Sequence, residues 1–363
     1  MDIYKQPWRL LPNPIRAFGG RETSRFRKVY PAEDIPNGSE EWIASYTDVN
    51  GSQTPYFGHS KAVLPDGRTM YLSQAISMDP ENALGENHLQ KYGRRLGVLL
   101  KLLDAKEQYL LQCHPNRQVA KTLWKSDFGK EESWYILSVR EDPEEAPYIL
   151  LGFKEGITEE AFSKHYKAGN LQALEQLCHK IPVQAGDAYY VPAGVPHALG
   201  KGCFAAEIQE PSDVTAVPIA QEDLIAFRQR ALPGGIFHKE DNDLYDQKTL
   251  KSFDYSGYSM KEILDQTKST NKVLRKTGDF IETLLIGQEH TKSFIWKKAD
   301  IDGTMEIQNG ESICIAVILS GSGKIISIGG ELEIHQGDVV FFPYPTRNSI
   351  IKGGMSAILC NPG

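Results

Sequence analysis

Short apolar runs separated by Gly, Pro, Asn and Asp dominate both ends of the chain, and the middle mixes such runs with stretches of helical spacing. Across residues 1–75, GSEEWIASY, PYFGHSKAVL and GRTMYLS read as strands between turns. From about Pro80 to Asp104, Leu89, Tyr92, Leu96, Leu99, Leu100 and Leu103 recur at spacings of three and four, which predicts a helix. QYLLQCHPN then alternates as a strand ending in a His-Pro-Asn turn, and SWYILSVR and YILLGFK predict two more strands. A Thr-Glu cap signal opens TEEAFSKHYKAGNLQALEQLCHK, which predicts a helix or a helix pair broken near Gly169–Asn170 and containing His165 and His179. Gln221 to Thr270 is a polar connector with helical turns. Beyond Val273, FIETLLIG, SFIWKKADI, SICIAVILSG, GKIISIGG, ELEIHQGDVVFFP, NSIIKGG and SAILC are short strands at regular spacing, the mark of a small antiparallel barrel or jelly roll.

One phrase occurs twice. IPVQAGDAYYVPAGVPHALG carries Gly186, Asp187 and Pro192, which recur at one constant offset as Gly337, Asp338 and Pro343 in LEIHQGDVVFFPYPTRNSI. The repeat predicts a second, similar barrel in the N-terminal half, enlarged by helical insertions. The chain thus divides into an N-terminal barrel with the chemistry (1–230), a connector (231–272) and a C-terminal barrel without metal ligands (273–363). His197 in the first copy corresponds to Asn348 in the second, so only the first carries a metal-capable side chain there. Pro192, Gly194 and Pro196 oppose helix and shape a turn that aims His197.

Composition narrows the classes. A net charge of -7 without a basic stripe argues against nucleic acid and anionic membrane, and leaves a small-molecule sugar or sugar phosphate as partner. No apolar run reaches the roughly 18 residues of a membrane span and no leader is legible, so a cytoplasmic location is expected. The five cysteines are widely spaced with no Cys-x-x-Cys pair, and are expected to be buried apolar residues. GSGK at 321–324 is a fragment of a phosphate loop, read more simply as a hairpin turn.

Gln112 and His114 sit two apart and so share a strand face, Glu132 begins a strand, and His197 ends the turn. An amide oxygen, two imidazoles and a carboxylate suit an exchangeable divalent ion of Zn²⁺ type with room for water or substrate, although by spacing alone a single histidine on a strand is more often a packed or surface residue than a ligand. LLKLLDA (99–105), LLQCHPN (110–116), GKEESWYI (129–136), GDAYYVPAGVPHALGKG (186–202) and, more loosely, AEIQEPSD (206–213) occur in the order found in type I phosphomannose isomerases, which the chain resembles; FGG at 18–20 and GSEEWIAS at 38–45 are weaker matches. The resemblance implies two cupin (jelly-roll) β-barrels in a mainly β protein, with helical insertions in and after the first. It also implies one Zn²⁺ held by Gln112, His114, Glu132 and His197, with Lys130 handling the substrate beside it. The implied activity is the metal-dependent interconversion of mannose 6-phosphate and fructose 6-phosphate through an enediol. Lys130 makes chemical sense in this role, because proton abstraction next to a carbonyl needs a cation for the developing enediolate.

One position departs from the pattern. Val217 stands where the family has an active-site arginine. Another cation (Arg16, Arg21 or Arg228) can fill that space, the sugar can differ or lack phosphate, or the protein can be a sugar-binding cupin without catalysis. Glu207 and Glu210, on the next strand, are further candidates to approach the metal.

Overall fold

Strand Cys203–Gln209 divides its side chains between two cores: Phe204, Ala206 and Ile208 pack with Phe341 and Ile358 of the C-terminal sheet, whereas Ala205 packs with Trp134 and Leu199. Alternate residues of a strand point to opposite faces, so a sheet buried on both sides needs apolar residues at both parities. This strand belongs to the central layer of a mainly β molecule. A computed structural model describes all residues except 1, 18–20, 29–37, 53, 141–145, 232–236, 309 and 311. The FGG motif at 18–20 lies outside the described residues.

The central sheet has six strands in the order Ala188–Val191, Glu132–Val139, Cys203–Gln209, Leu99–Asp104, Gly38–Ala44 and Pro14–Ala17. On one side lies a three-stranded sheet (His197–Leu199, Tyr148–Phe153, Cys178–Pro182), and the two enclose the core containing Trp134, Ile149 and Tyr189. On the other lies a ten-stranded sheet built mainly from residues beyond 272, which curls around its own core of Met305, Ile325 and Phe342. These are jelly-roll layers whose hydrogen bonding stays open. Trp8–Leu10 pairs antiparallel with Val339–Phe342, and Lys61–Val63 and Thr69–Tyr71 continue that sheet. Three N-terminal strands therefore belong to the sheet that the C-terminal residues build.

The internal repeat is real in geometry. Gly186 and Gly337 share left-handed φ values of 91° and 89°. The Asp187 carboxylate accepts from the Gln184 N–H at 3.2 Å, and Asp338 accepts from His335 at 2.9 Å. The turns after Pro192 and Pro343 close alike, Val195 N–H and Thr346 N–H donating to the proline carbonyls. Asn348 is exposed where the first copy buries His197.

Several local expectations change. The helical reading of 80–104 holds only for Pro80–Leu84 and Glu86–Tyr92; Gly93 and Gly97, at φ 63° and 76°, end it, and Leu99–Asp104 is a strand. All six residues of that strand are buried, and a two-face-buried strand shows no alternation to distinguish it from helix. QYLLQCHPN makes isolated bridges, Gln112 to His197 and Cys113 to Ala216, instead of a regular strand. His179 lies on strand Cys178–Pro182 rather than on a helix and bonds the Tyr258 carbonyl at 2.7 Å. GSGK is no hairpin: it runs through the middle of strand Cys314–Ser327, which turns only after Ser327. The connector holds helices Gln221–Ala231, Asn242–Ser252 and Met260–Thr267, and all five cysteines are buried thiols.

Candidate metal centre and adjoining cavity

A glycine turn sets up the site. Gly194, at φ 90°, donates its N–H to the His114 carbonyl at 2.7 Å, a backbone approach that a left-handed glycine permits. The turn delivers His197 to the first position of strand His197–Leu199, where its N–H and C=O bond the C=O and N–H of Gln112 at 2.9 and 3.0 Å. Glu132 opens strand Glu132–Val139, between Val191 and Gln209 in register. Lys130 is tied through its N–H to the Pro115 carbonyl at 3.2 Å. Four segments far apart in sequence are thus held together by backbone bonds.

The side chains then meet at one point. His114 Nε2 lies 2.9 Å from Glu132 Oε2, and His197 Nε2 lies 3.4 Å from Glu132 Oε1 and 3.2 Å from His114 Nε2. The Gln112 side-chain amide is 3.3 Å from His197 Nε2, and turning the amide over presents its oxygen instead. All of His114, Glu132 and His197 are buried. Each imidazole spends its Nδ1–H on a backbone carbonyl, His114 on Val214 at 3.0 Å and His197 on Val195 at 2.9 Å. That leaves two Nε2 lone pairs facing each other and a carboxylate.

The electrostatics keep the set in its ligand form. Burial, joined by the Lys130 charge, pushes the His114 imidazole down to about 3, despite the opposing pull of Glu132. Burial likewise lowers His197. Burial alone would raise the Glu132 carboxyl, but the Lys130 charge beside it overrules burial and holds it well below the usual range. Lys130 Nζ lies 3.1 Å from Glu132 Oε2 and 2.7 Å from His114 Nε2, yet neither buried carboxylate oxygen of Glu132 accepts a hydrogen bond of good geometry. The Lys130 ammonium balances the carboxylate's charge, but a buried carboxylate whose oxygens accept no well-formed hydrogen bond, facing the Nε2 atoms of two imidazoles, still has coordinating capacity to spare for a cation. The donor set fits a divalent ion with nitrogen and oxygen ligands.

Gln112 and Lys130 also line a cavity of about 450 Å³. A ladder of charge forms another part of its lining. Arg16 bonds Glu40 at 2.5 Å and Asp213 at 3.0 Å, while Lys101 lies 3.3 Å from Glu40 and 3.1 Å from Glu207. Trp134 Nε1–H donates to Glu207 at 3.0 Å. Burial and then the neighbouring Glu132 charge raise the Glu207 carboxyl, whereas Arg16 and Lys101 overcome burial and keep Glu40 strongly ionised.

Two family models match this chain: phosphomannose isomerase type I, catalytic domain, over residues 28–135, and mannose-6-phosphate isomerase, cupin domain, over residues 288–362. The chain belongs to the type I phosphomannose isomerase family. This is a family of enzymes. Among relatives, the probable mannose-6-phosphate isomerase GmuF of Bacillus subtilis (strain 168) is 26% identical over 274 residues, 74% of this chain and 76% of that protein. Mannose-6-phosphate isomerase ManA of the same organism is 24% identical over 280 residues, 76% of this chain and 79% of that protein. The fold matches the crystal structure of the mannose 6-phosphate isomerase from Bacillus subtilis with a TM-score of 0.73 at 21% identity, covering 98% of this chain and 99% of that one.

Within this member of the family, the candidates from sequence separate cleanly. Gln112, His114, Glu132, His197 and Lys130 come together. Arg16 and Arg228 line the cavity with Val217, whereas Arg21, at the start of helix Glu22–Arg27, is not part of the lining. Glu207 lines the cavity too; Glu210 instead accepts from Arg117 at 2.6 and 2.8 Å. Lys101, Glu40 and Trp134 were not singled out in the sequence. The signal for Lys101 is a lone lysine between leucines in LLKLL (99–103), a charge in an otherwise apolar buried run, which has to be paired.

Proposed function

We propose that this protein is a metal-dependent aldose–ketose isomerase that interconverts mannose 6-phosphate and fructose 6-phosphate through an enediol. The observation that carries the reading is the donor-poor Glu132 carboxylate facing two Nδ1-anchored imidazoles, next to a cavity that Lys130 and Gln112 share. Family membership supports the reaction class. Gln112, His114, Glu132 and His197 would hold one Zn²⁺, which when bound polarises the substrate's carbonyl and hydroxyl oxygens.

The remaining roles belong to the chain. Lys130 presents an ammonium to the cavity, held in place by Glu132, and stabilises negative charge that develops on the sugar oxygens as the proton next to the carbonyl leaves. Its tether to Glu132 and His114 keeps that charge where it is needed without reorganisation. Glu207 and Lys101 form a second ion pair on the same cavity, 3.1 Å apart. The enzyme acts in the cytoplasm on a small soluble sugar phosphate.

Assaying mannose 6-phosphate turnover before and after chelation, then after adding Zn²⁺, tests this directly: activity is lost and restored. Full activity in the chelated protein would sink the metal mechanism. Val217 motivates a second reading, in which the sugar carries no phosphate; free mannose or fructose turning over as well as the phosphorylated sugar would favour it. Solvent deuterium incorporation at C2 separates both from a sugar-binding cupin, which would incorporate none.

A further inference from the structure

The cavity beside the candidate metal centre is lined by the cations Arg16, Lys101, Lys106, Lys130 and Arg228. Three of them are already neutralised: Arg16 by Glu40 and Asp213, Lys101 by Glu40 and Glu207, and Lys130 by Glu132. Lys106 is exposed at the rim beside the equally exposed Glu107. Arg228 differs from all of these. It is half-buried, its guanidinium lies 5.9 Å from the centroid of the Phe237 ring, and among the described residues it pairs with no carboxylate.

Its position follows from the helix that carries it. In helix Gln221–Ala231, Leu224 and Arg228 are four apart and share a face. Leu224 packs against Val217 and Ile219, so the face that bears Arg228 is the one turned to Val217. Val217 and Arg228 both line the cavity, together with the hydroxyl-bearing Thr215. A cation is therefore present on the Val217 side, supplied by a different element. Burial lowers the Arg228 pKa and the Asp213 charge opposes that, but Asp213 itself is engaged by Arg16 and by the Asn50 N–H. An arginine stays charged in proteins, so a half-buried guanidinium lacking an anion is set up to receive one, and its planar fork matches a phosphate.

We propose that Arg228 binds the phosphomonoester end of the substrate, taking the place left by the apolar side chain of Val217. The proposal rests on the reading of the substrate as a sugar phosphate, but the anion site itself is testable without turnover. Calorimetric titration of the zinc-supplemented enzyme with inorganic phosphate, comparing wild type with Arg228→Gln and Arg228→Lys, is the experiment. Loss of the charged fork in Arg228→Gln is expected to weaken phosphate binding at least about tenfold, with Arg228→Lys in between. Circular dichroism confirms that each variant is folded, and either variant suffices if the other fails. In parallel, KM for mannose 6-phosphate rises by a similar factor. Equal phosphate affinity in wild type and variants, or no phosphate binding by wild type, overturns the proposal. Arg228-dependent phosphate binding in a wild-type enzyme that turns over no mannose 6-phosphate would support the anion site while removing the proposed reaction.

Discussion

At the residue scale the site is governed by where lone pairs and charges are left without partners. His114 and His197 each commit Nδ1–H to a main-chain carbonyl, which fixes the tautomer and turns Nε2 inward. On the proposed metal mechanism, Glu132→Gln keeps the shape and removes the charge, so zinc retained after loading falls at least about tenfold by elemental analysis and turnover falls with it; a variant with unchanged zinc content would show that the carboxylate is not a ligand. Lys101 illustrates the cost of breaking a buried network. Lys101→Met leaves Glu40 and Glu207 without their shared cation, an expected loss of about 3–5 kcal/mol, read as a lower thermal midpoint. His88 gives a pH dependence away from the site. Its Nε2 contacts the Arg95 carbonyl at 2.8 Å, its Nδ1 is buried without a partner, and burial lowers its pKa from the ordinary 6.5. The unfolded chain therefore takes up this proton first as the pH drops below 6.5, so stability is intact above that value and declines below it, down to the folded pKa. His88→Gln should flatten part of that decline in thermal midpoint below pH 6.5; an unchanged slope would mean that His88 does not titrate as its surroundings require.

At the element scale the long C-terminal strands depend on glycine. Strand Cys314–Ser327 bends where its register with Ile350–Pro362 shifts between Ile318 and Ser320. Just beyond, Gly321 has φ 77°, and a Cβ there would lie 2.1 Å from the Gly354 carbonyl oxygen. Gly321→Ala thus combines an unfavourable backbone conformation with a backbone collision, and should lower the thermal midpoint by at least about 5 °C. Gly278→Ala, with open space around it, serves as the control and should be close to neutral. This bend explains why GSGK read as a turn. Local composition reports a glycine-rich break, but only the partner strands, pairing on both sides, turn that break into a bend within one strand. The run at 99–104 misleads for a related reason: leucines on both faces of a strand imitate a helix when the second layer is not yet known.

At the scale of the whole molecule, the two halves share a core. Trp8, Leu100, Ile208, Tyr190, Trp296, Phe341 and Ile358 pack in one cluster, and the strand Trp8–Leu10 is hydrogen-bonded to Val339–Phe342. The proposed metal ligands, Lys130 and Arg228 lie between 112 and 228, yet the sheet that carries Glu132, Glu207 and Lys101 rests on strands from beyond 272. Unfolding followed by tryptophan fluorescence and by far-ultraviolet circular dichroism should give coincident transitions. A fragment of residues 1–270 should expose the shared face, bind a hydrophobic dye and lack turnover; a folded, active fragment would contradict the shared core.

The sequence by itself determined the strand-rich pattern, the duplicated Gly-Asp turn and the buried thiols, because these follow from local spacing, turn chemistry and residue type; the short list of side chains able to hold a metal came from the resemblance carried by its ordered motifs. Only the tertiary structure decided that the helical-looking run before Ala105 is a strand, that N-terminal strands complete the C-terminal sheet, and that Arg228 faces the cavity beside Val217. Each of these depends on what lies across a layer, and a side chain's partner across a layer leaves no trace in its neighbours along the chain.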